Sequence, residues 1–332
     1  MMTDRFDVAG IGNAIVDVIF PVSDEFLLEH GIAKSVMTLI DEFRAEQLIA
    51  LAEESKQVSG GSAANTMAGL ASFGAKGKFI GKVKNDRLGQ LFAKDMKSAG
   101  VAFDTSMAET SLPTACSLIA VTPDGHWSMN TYLGACRELT PDDIDPSEIG
   151  AVEFLYIEGY LWDEENSKEA IRKAIAASKG AGRSVAFTLS DPFCVGRYRD
   201  EFLHLMKSDI DILFANEEEA KALFEVDSFN AALKAAKAWH GISALTRSEN
   251  GCVIVGGNDE MHVLPAERVN RVVDTTGAGD QFAAGFLYGL SRKRDLRTAG
   301  RLGAVAAAEV ISHYGARPEQ SLRAKARHTK LL

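Results

Sequence analysis

Two rhythms of apolar and polar positions divide the chain. In the first part, residues 6–19 form a largely apolar run interrupted by Gly10 and Gly12, which predicts a strand. Residues 42–54 place Phe43, Leu48, Ile49 and Leu51 near helical spacing behind Asp41, a good N-cap, and predict a helix. A small-residue helix is expected over 62–73 after a Gly-Gly turn. A strand is expected next over 78–83, then a helix over 88–98 ended by Gly100. Residues 115–121 and 126–132 read as two strands around the turn sequence Pro123-Asp124-Gly125.

From residue 154 the rhythm becomes strand then helix. Segment 154–158 precedes a helix over 164–178, and 184–189 precedes a helix near 200–207. Segment 210–215 precedes 217–224, and 242–246 comes after a helix ending near Trp239. This alternation predicts an α/β fold: a mostly parallel central sheet with helices on both faces. The 115–132 hairpin and part of the early chain then form a small antiparallel accessory sheet. No internal repeat or Pro-rich linker divides the chain, so residues 1–332 read as a single domain, with any second unit inserted into it.

Composition narrows the function classes. The 332 residues are 46% hydrophobic and carry a formal net charge of -10, with no basic block to balance it. That argues against a nucleic-acid partner, because phosphate-backbone binding needs clustered Lys and Arg. The basic stretch Arg323, Lys325, Arg327 and Lys330 reads as a short frayed tail. Asp4, Arg5 and Asp7 interrupt any leader-like run, and Glu153 and Glu158 break the best candidate for a membrane span. Cys116, Cys136, Cys194 and Cys252 are scattered, which fits free thiols in a reducing cytoplasm. The seven histidines show no zinc-type spacing.

The stretch most informative about chemistry runs from Arg271 through Asp274-Thr-Thr-Gly-Ala-Gly-Asp280. Phe282, Phe286, Leu287 and Leu290 give residues 281–290 a helical face, so Gly277, Ala278 and Gly279 fall at a helix start. Unpaired N–H groups and the helix dipole make such a start an anion site. Asp280 beside a bound γ-phosphate can take the proton of an attacking alcohol; alternatively it only caps the helix. In Ser59-Gly60-Gly61-Ser62-Ala-Ala-Asn65, Gly60 and Gly61 form a turn and Ser62 is placed to cap the next helix. Asn65, one turn further, can face the same cleft.

Gly10-Ile-Gly-Asn-Ala-Ile15 lacks the third glycine of a dinucleotide fingerprint, and Gly69–Gly74 lacks the Walker lysine, Ala75 standing in its place. Asp17, in an apolar strand, either pairs with an Arg or a turn amide or accepts hydrogen bonds from vicinal sugar hydroxyls. Asn216 and Glu219, after a strand, suit either a hydrated Mg²⁺ near phosphates or ordinary helix capping.

Taken together, these motifs resemble the PfkB family of carbohydrate and nucleoside kinases. Gly60 to Asn65 with Gly81 to Gly89 looks like its N-terminal signature, Asp274 to Asp280 its C-terminal one, and Asn216-x-x-Glu219 its N-x-x-E motif. The resemblance spans about residues 8–318. It implies a ribokinase-like three-layer α/β/α sandwich with a small β-sheet lid from segments near 14–40 and 112–136. It implies Asp280 as base, Gly277, Ala278 and Gly279 as anion hole, and Asp17, Gly60, Gly61, Ser62 and Asn65 on the substrate. Asn216 and Glu219 would organise Mg²⁺ through water, and Thr246, Gly251 and Thr276 would lie on the nucleotide side. ATP and Mg²⁺ are the implied cofactors, with a monovalent cation such as K⁺ near Asp274 in some relatives.

Within the family the motifs are most similar to the adenosine kinases, through Gly12 to Asp17, Thr188 to Phe193 and Asp209 to Glu217. That similarity implies 5′-phosphorylation of a nucleoside, with Asn13, Ile15, Met37 and Tyr160 lining the base pocket. Met37 stands where animal adenosine kinases tend to have glutamine, and Thr276 is shared with sugar kinases. Sugar phosphorylation is therefore the alternative, and a non-catalytic nucleoside-binding regulator a third. Both a monomer and a lid-mediated homodimer fit the sequence.

Overall fold

A computed structural model describes residues 5–52, 54–109, 112–257 and 260–332. Asp4 lies outside them. Nine strands form the central sheet in the order β14-β13-β12-β11-β10-β9-β1-β5-β6. They are β1 (Val8–Ile11), β5 (Gly77–Ile80), β6 (Val101–Ala102), β9 (Phe154–Glu158), β10 (Ser184–Thr188), β11 (Ile212–Asn216), β12 (Ile242–Thr246), β13 (Cys252–Val255) and β14 (Met261–Leu264). Neighbours from β6 to β12 run parallel; β13 and β14 close the far edge antiparallel.

Both faces of this sheet are covered over its centre, so its inner strands are apolar on both sides rather than alternating, whereas edge strand β14 is largely exposed. In β9, Phe154 and Tyr156 join a core with helices α3 (Ser62–Phe73), α4 (Arg87–Ser98), α10 (Ala278–Ser291), α11 (Leu296–Val310) and α12 (Leu322–His328). Leu155 and Ile157 join a second core with α5 (Pro146–Ala151), α6 (Glu165–Gly180), α7 (Pro192–Ser208), α8 (Glu217–Phe224) and α9 (Phe229–Ala238). The result is the expected three-layer α/β/α sandwich.

The second sheet has five strands in the order β3-β8-β7-β2-β4: β2 (Ile15–Pro21), β3 (Met37–Leu39), β4 (Lys56–Gly60), β7 (Ala115–Val121) and β8 (Trp127–Tyr132). One face packs Val16, Val18, Phe20 and Leu118 against α1 (Asp24–Glu29) and α2 (Glu42–Leu51), which bring Leu27 and Leu48. As expected, Asp41 caps α2, accepting from the Arg44 N–H at 2.8 Å.

Four expectations need correction. The run over 6–19 is two strands in different sheets, broken across Gly12, Asn13 and Ala14, because hydrophobicity continues through the bend while the pairing partners change. The small sheet is mixed: β2 runs parallel to β7 and β3 to β8, since their connections cross over rather than turn back as hairpins. Helix α7 begins at Pro192, not near Asp200, with non-helical backbone at Tyr198 dividing it. The basic C-terminal stretch is no frayed tail: α12 buries Leu322 and Ala326 in the first core, leaving its cations outward.

All four cysteines are free and buried. Among the described residues, no helix is long and apolar enough to cross a membrane.

Candidate active site

The strands of the central sheet that come after β1 in the chain first go to one flank, as β5 and β6. The rest, from β9 onwards, go to the other. In open α/β sheets the crevice beyond the strand ends at such a switch receives ligands. Glu158, the last residue of β9, stands there with no exposure to solvent. Its carboxylate accepts the backbone N–H of Asn13, just past β1, and that of Ala63 in the first turn of α3, both at 2.8 Å. Burial pushes its pKa up to about 7, and the two amides oppose the shift. Glu158 thereby ties the exit of β1 to the start of α3.

Asp280 enters the crevice from α10. The N-cap is Gly277, at φ 77°, and no side chain caps the helix. A Cβ at Gly277 would lie 2.6 Å from the Ala316 Cβ, so the position admits little beyond glycine. A Cβ at Gly279 would meet nothing within 4 Å, so the first turn of α10 opens onto free space. The arrangement fits an anion such as a nucleotide phosphate at the helix start.

The Asp280 carboxylate bonds across to α3, accepting from Ser62 Oγ at 2.6 Å and Asn65 Nδ2 at 3.3 Å. Those bonds set it apart from a simple helix cap. Burial raises its pKa to about 6 against the pull of both donors. Ser62 does not cap α3 as expected. Gly61 is the N-cap, so Ser62 already lies inside the helix and its hydroxyl is free to reach Asp280.

Gly60 and Gly61 permit close approach rather than supplying a cap. A Cβ at Gly60 would collide with the Asp17 carboxylate, and one at Gly61, at φ 93°, with the Asn13 carbonyl. Asp17 and Asn65 line a cleft of about 410 Å³ together with Thr276, Trp127, Tyr314 and Arg317. Among the described residues the Asp17 carboxylate accepts no hydrogen bond. Burial pushes its pKa up to about 7, partly countered by the Arg317 charge.

On the other side of the crevice, Asn216 and Glu219 form a reciprocal capping box at the start of α8. Glu219 N–H donates to Asn216 Oδ1 at 2.9 Å, and Asn216 donates back from its backbone at 2.9 Å and from Nδ2 at 2.6 Å. Burial lifts Glu219 to about 7. Thr246 pairs directly with Asn216 across β11 and β12, and Gly251 leads into β13. Asp274 accepts the N–H of Thr276 and of Gly315, both at 2.9 Å, one on each oxygen.

Among the described residues no group of three or more acidic, His or Cys side chains could hold a metal. The donors present suit a magnesium ion that keeps its waters rather than a fully protein-ligated ion.

Ile15 is partly buried opposite Gly60. Met37 is 47% exposed on edge strand β3. Tyr160 donates from its backbone to Ser190 Oγ at 3.2 Å and from its hydroxyl to the Ser190 carbonyl at 3.4 Å. Neither Met37 nor Tyr160 lines the 410 Å³ cleft.

Sequence reasoning misses two residues at the site. Glu158 is visible there only as a charge interrupting an apolar run, although a carboxylate inside such a strand demands buried partners. Arg317, in a loop without a motif, gives no signal.

A doubly covered sheet, a crevice at its switch point and a carboxylate at an open glycine-rich helix start define a phosphotransferase of the α/β/α type. Residues 31–322 match the model for the pfkB family carbohydrate kinases, and the chain belongs to that family. Kinases of this family use ATP, generally with Mg²⁺.

The chain is 47% identical to the adenosine kinase from Sinorhizobium meliloti, with a TM-score of 0.91 over 98% of this chain and 99% of that one. It is 46% identical to a probable sugar kinase from Rhizobium etli, with a TM-score of 0.92 over 99% and 100%. Among curated sequences it is 28% identical to the adenosine kinase of Saccharomyces cerevisiae, over 92% of this chain and 94% of that one.

Proposed function

We propose that the chain transfers the γ-phosphate of ATP to the 5′-hydroxyl of an adenosine-like nucleoside, with Asp280 as general base. The observation that carries the nucleoside reading is the pattern on the cleft face of the small sheet. Cross-strand register aligns Asp17, Ser117, Thr131 and Leu39 in one row, and Ile19, Ile119, Met129 and Met37 in the next. Polar groups at Asp17, Ser117 and Thr131 suit the hydroxyls of a ribose. The apolar row beside them suits a planar base, and a simple sugar has nothing to place there. The similarity to adenosine kinases supports the same reading.

In this reading Asp280 takes the proton of the attacking hydroxyl. The first turn of α10 at Gly277, Ala278 and Gly279 holds the transferring phosphoryl and stabilises the charge that develops on it. Asp17, Gly60, Gly61 and Asn65 hold the ribose, and Asn13, Ile15, Met37 and Tyr160 border the base. Asn216 and Glu219 hold Mg²⁺ through its waters, Thr246, Gly251 and Thr276 face the nucleotide, and Asp274 is the position for a monovalent cation. The small sheet, built mainly from segments 14–40 and 112–136, acts as a lid that excludes water which would otherwise consume ATP. We place this chemistry in the cytoplasm.

The similarity to a probable sugar kinase supports a second reading, in which the same machinery phosphorylates a hexose or pentose. The test is ADP release across a panel of nucleosides and sugars with ATP and Mg²⁺. Turnover of adenosine with a kcat/KM well above that of any sugar is expected. Efficient sugar turnover with inert nucleosides would overturn the nucleoside reading. An Asp280→Asn protein as active as the wild type would overturn the general base.

A further inference from the structure

The Arg317 guanidinium projects from the loop after α11 into the cleft wall, and no step of the proposed phosphoryl transfer uses it. Its Nε donates to Asn65 Oδ1 at 3.2 Å, its Nη1 to Ser59 Oγ at 2.6 Å, and its Nη2 contacts Met96 Sδ at 3.3 Å. Ser59 is anchored in turn by Asp95 of α4, whose carboxylate accepts the Ser59 N–H at 3.0 Å and its hydroxyl at 3.4 Å. The loop is pinned on its other side, where Gln281 donates to the Ala316 carbonyl at 2.9 Å and Gly315 N–H to Asp274. Tyr314 stacks on Trp127 of the small sheet, with ring centroids 6.1 Å apart. Among the described residues Arg317 makes no ion pair within 4 Å, although Asp17 lines the same cleft. It is held back from Asp17 by the three groups it touches.

The consequence falls on Asn65. A side-chain amide has one accepting and one donating end. Arg317 can only donate, so Oδ1 must face it; the Asp280 carboxylate can only accept when ionised, so Nδ2 must face that. The two partners on opposite sides of Asn65 impose the same orientation. Turned the other way, Oδ1 would meet the Asp280 carboxylate and Nδ2 the guanidinium, two repulsive contacts in place of two bonds.

We infer that Arg317 is a positioning residue for phosphoryl transfer: it locks the Asn65 amide so that one N–H is always presented to the Asp280 carboxylate. The second N–H on Nδ2 stays available to the acceptor. The inference rests on Asp280 acting as base, and it assigns Arg317 no contact with substrate.

Charge in the surroundings makes the lock matter. Asp280 shares the crevice with Asp17 on β2, Tyr156 and Glu158 on β9, Tyr160 just beyond, and Glu219 on α8; each feels its charge. Against those acids, Ser62 and Asn65 are the donors that favour the ionised form of Asp280. Losing the oriented amide therefore moves the base towards its protonated state.

The experiment is a double-mutant cycle of Arg317→Met and Asn65→Ala, assayed with ATP, Mg²⁺ and the best acceptor of the panel. Arg317→Met is expected to lower kcat/KM by roughly 10- to 100-fold, the scale of a lost hydrogen bond to a charged group. The acid limb of its kcat profile should move to higher pH, which a purely structural defect would not do. In the Asn65→Ala background the same change should cost less than about 3-fold, because its route of action is gone. Full additivity, or an unmoved acid limb, overturns the inference while leaving Asp280 as base. An active Asp280→Asn protein overturns the base itself.

Arg317→Lys keeps the charge but cannot fork to both Asn65 and Ser59, and should fall between wild type and Arg317→Met. It carries the test should Arg317→Met fail to fold. A crystal structure of the ligand-free Arg317 variant that folds gives a readout independent of activity. Asn65 turned from Asp280 supports the lock; Asn65 unmoved refutes it.

Discussion

The two sheets solve opposite problems with the same backbone. In the nine-stranded sheet, β1, β5, β9 and β13 are buried at every residue, so side chains there pack and chemistry is confined to strand ends and the helix starts beyond them. In the small sheet, β2 alternates partly exposed Ile15, Asp17 and Ile19 with buried Val16, Val18 and Phe20. One of its faces is core and the other is wall. The body thus positions groups by where strands stop, and the small sheet by which residues share a row. Changes in the body should therefore alter the rate of the chemical step, whereas changes in the small sheet should alter which acceptor is held.

The largest effect expected is in the body. Asp280→Asn removes the proposed proton acceptor while preserving shape, and kcat should fall by roughly 100-fold or more, measured by ADP release. Acceptor affinity measured by calorimetry should move far less. A comparable loss in both would erase the division between the two regions.

The pH dependence belongs to the same residue. Burial holds Asp280 at about 6, and as the proposed base it would work only when ionised. The kcat/KM of the wild type should accordingly be flat above about pH 7 and fall close to tenfold per unit well below 6. A limb near the ordinary carboxylate value would mean that the burial of Asp280 does not govern the reaction.

Changes in the small sheet should be smaller and selective. Ile119→Asn places an amide in the apolar row and should raise KM for nucleosides by roughly 10-fold while leaving any sugar within about 3-fold. Asp17→Asn alters the polar row and should weaken both classes together. Equal effects of Ile119→Asn on both classes would remove the basis for reading that row as a base pocket.

The smallest prediction concerns stability. With Asp17 pushed up to about 7 from an ordinary 3.8, the folded state holds this proton more tightly than the unfolded chain. The resulting stabilisation is complete below the ordinary value and is lost as pH rises through about 7. Asp17→Asn escapes that loss. Its Tm should exceed that of the wild type by a few °C at pH 8 and by much less at pH 4.5, in thermal melts without ligand. The reverse order would show that the Arg317 charge outweighs burial at this carboxylate.

The fold was legible because apolar period and glycine punctuation agree over most of its length. Helices α3 and α8 and strands β7, β9 and β12 occur at the residues expected for them. Legibility failed where pairing, not propensity, decides. The bend between β1 and β2 is invisible because Gly12, Asn13 and Ala14 sit between two apolar runs, and only the change of partner separates them.

At the site, local motifs point to Asp280, Ser62 and Asn65 one by one, and the structure joins them by hydrogen bonds spanning 215 residues or more. Arg317 escaped because its placement is fixed by three partners distant in sequence, Ser59, Asn65 and Met96. The linear order of residues carries no trace of that convergence.

The cleft is walled by Asp17 on one side and by residues 314–319 on the other. These two walls come from widely separated stretches of the chain, so the cleft exists only when the small sheet is docked against the body. Under the proposed function, a molecule in which either wall is unfolded could not bring phosphate donor and acceptor together, so loss of docking alone would abolish transfer.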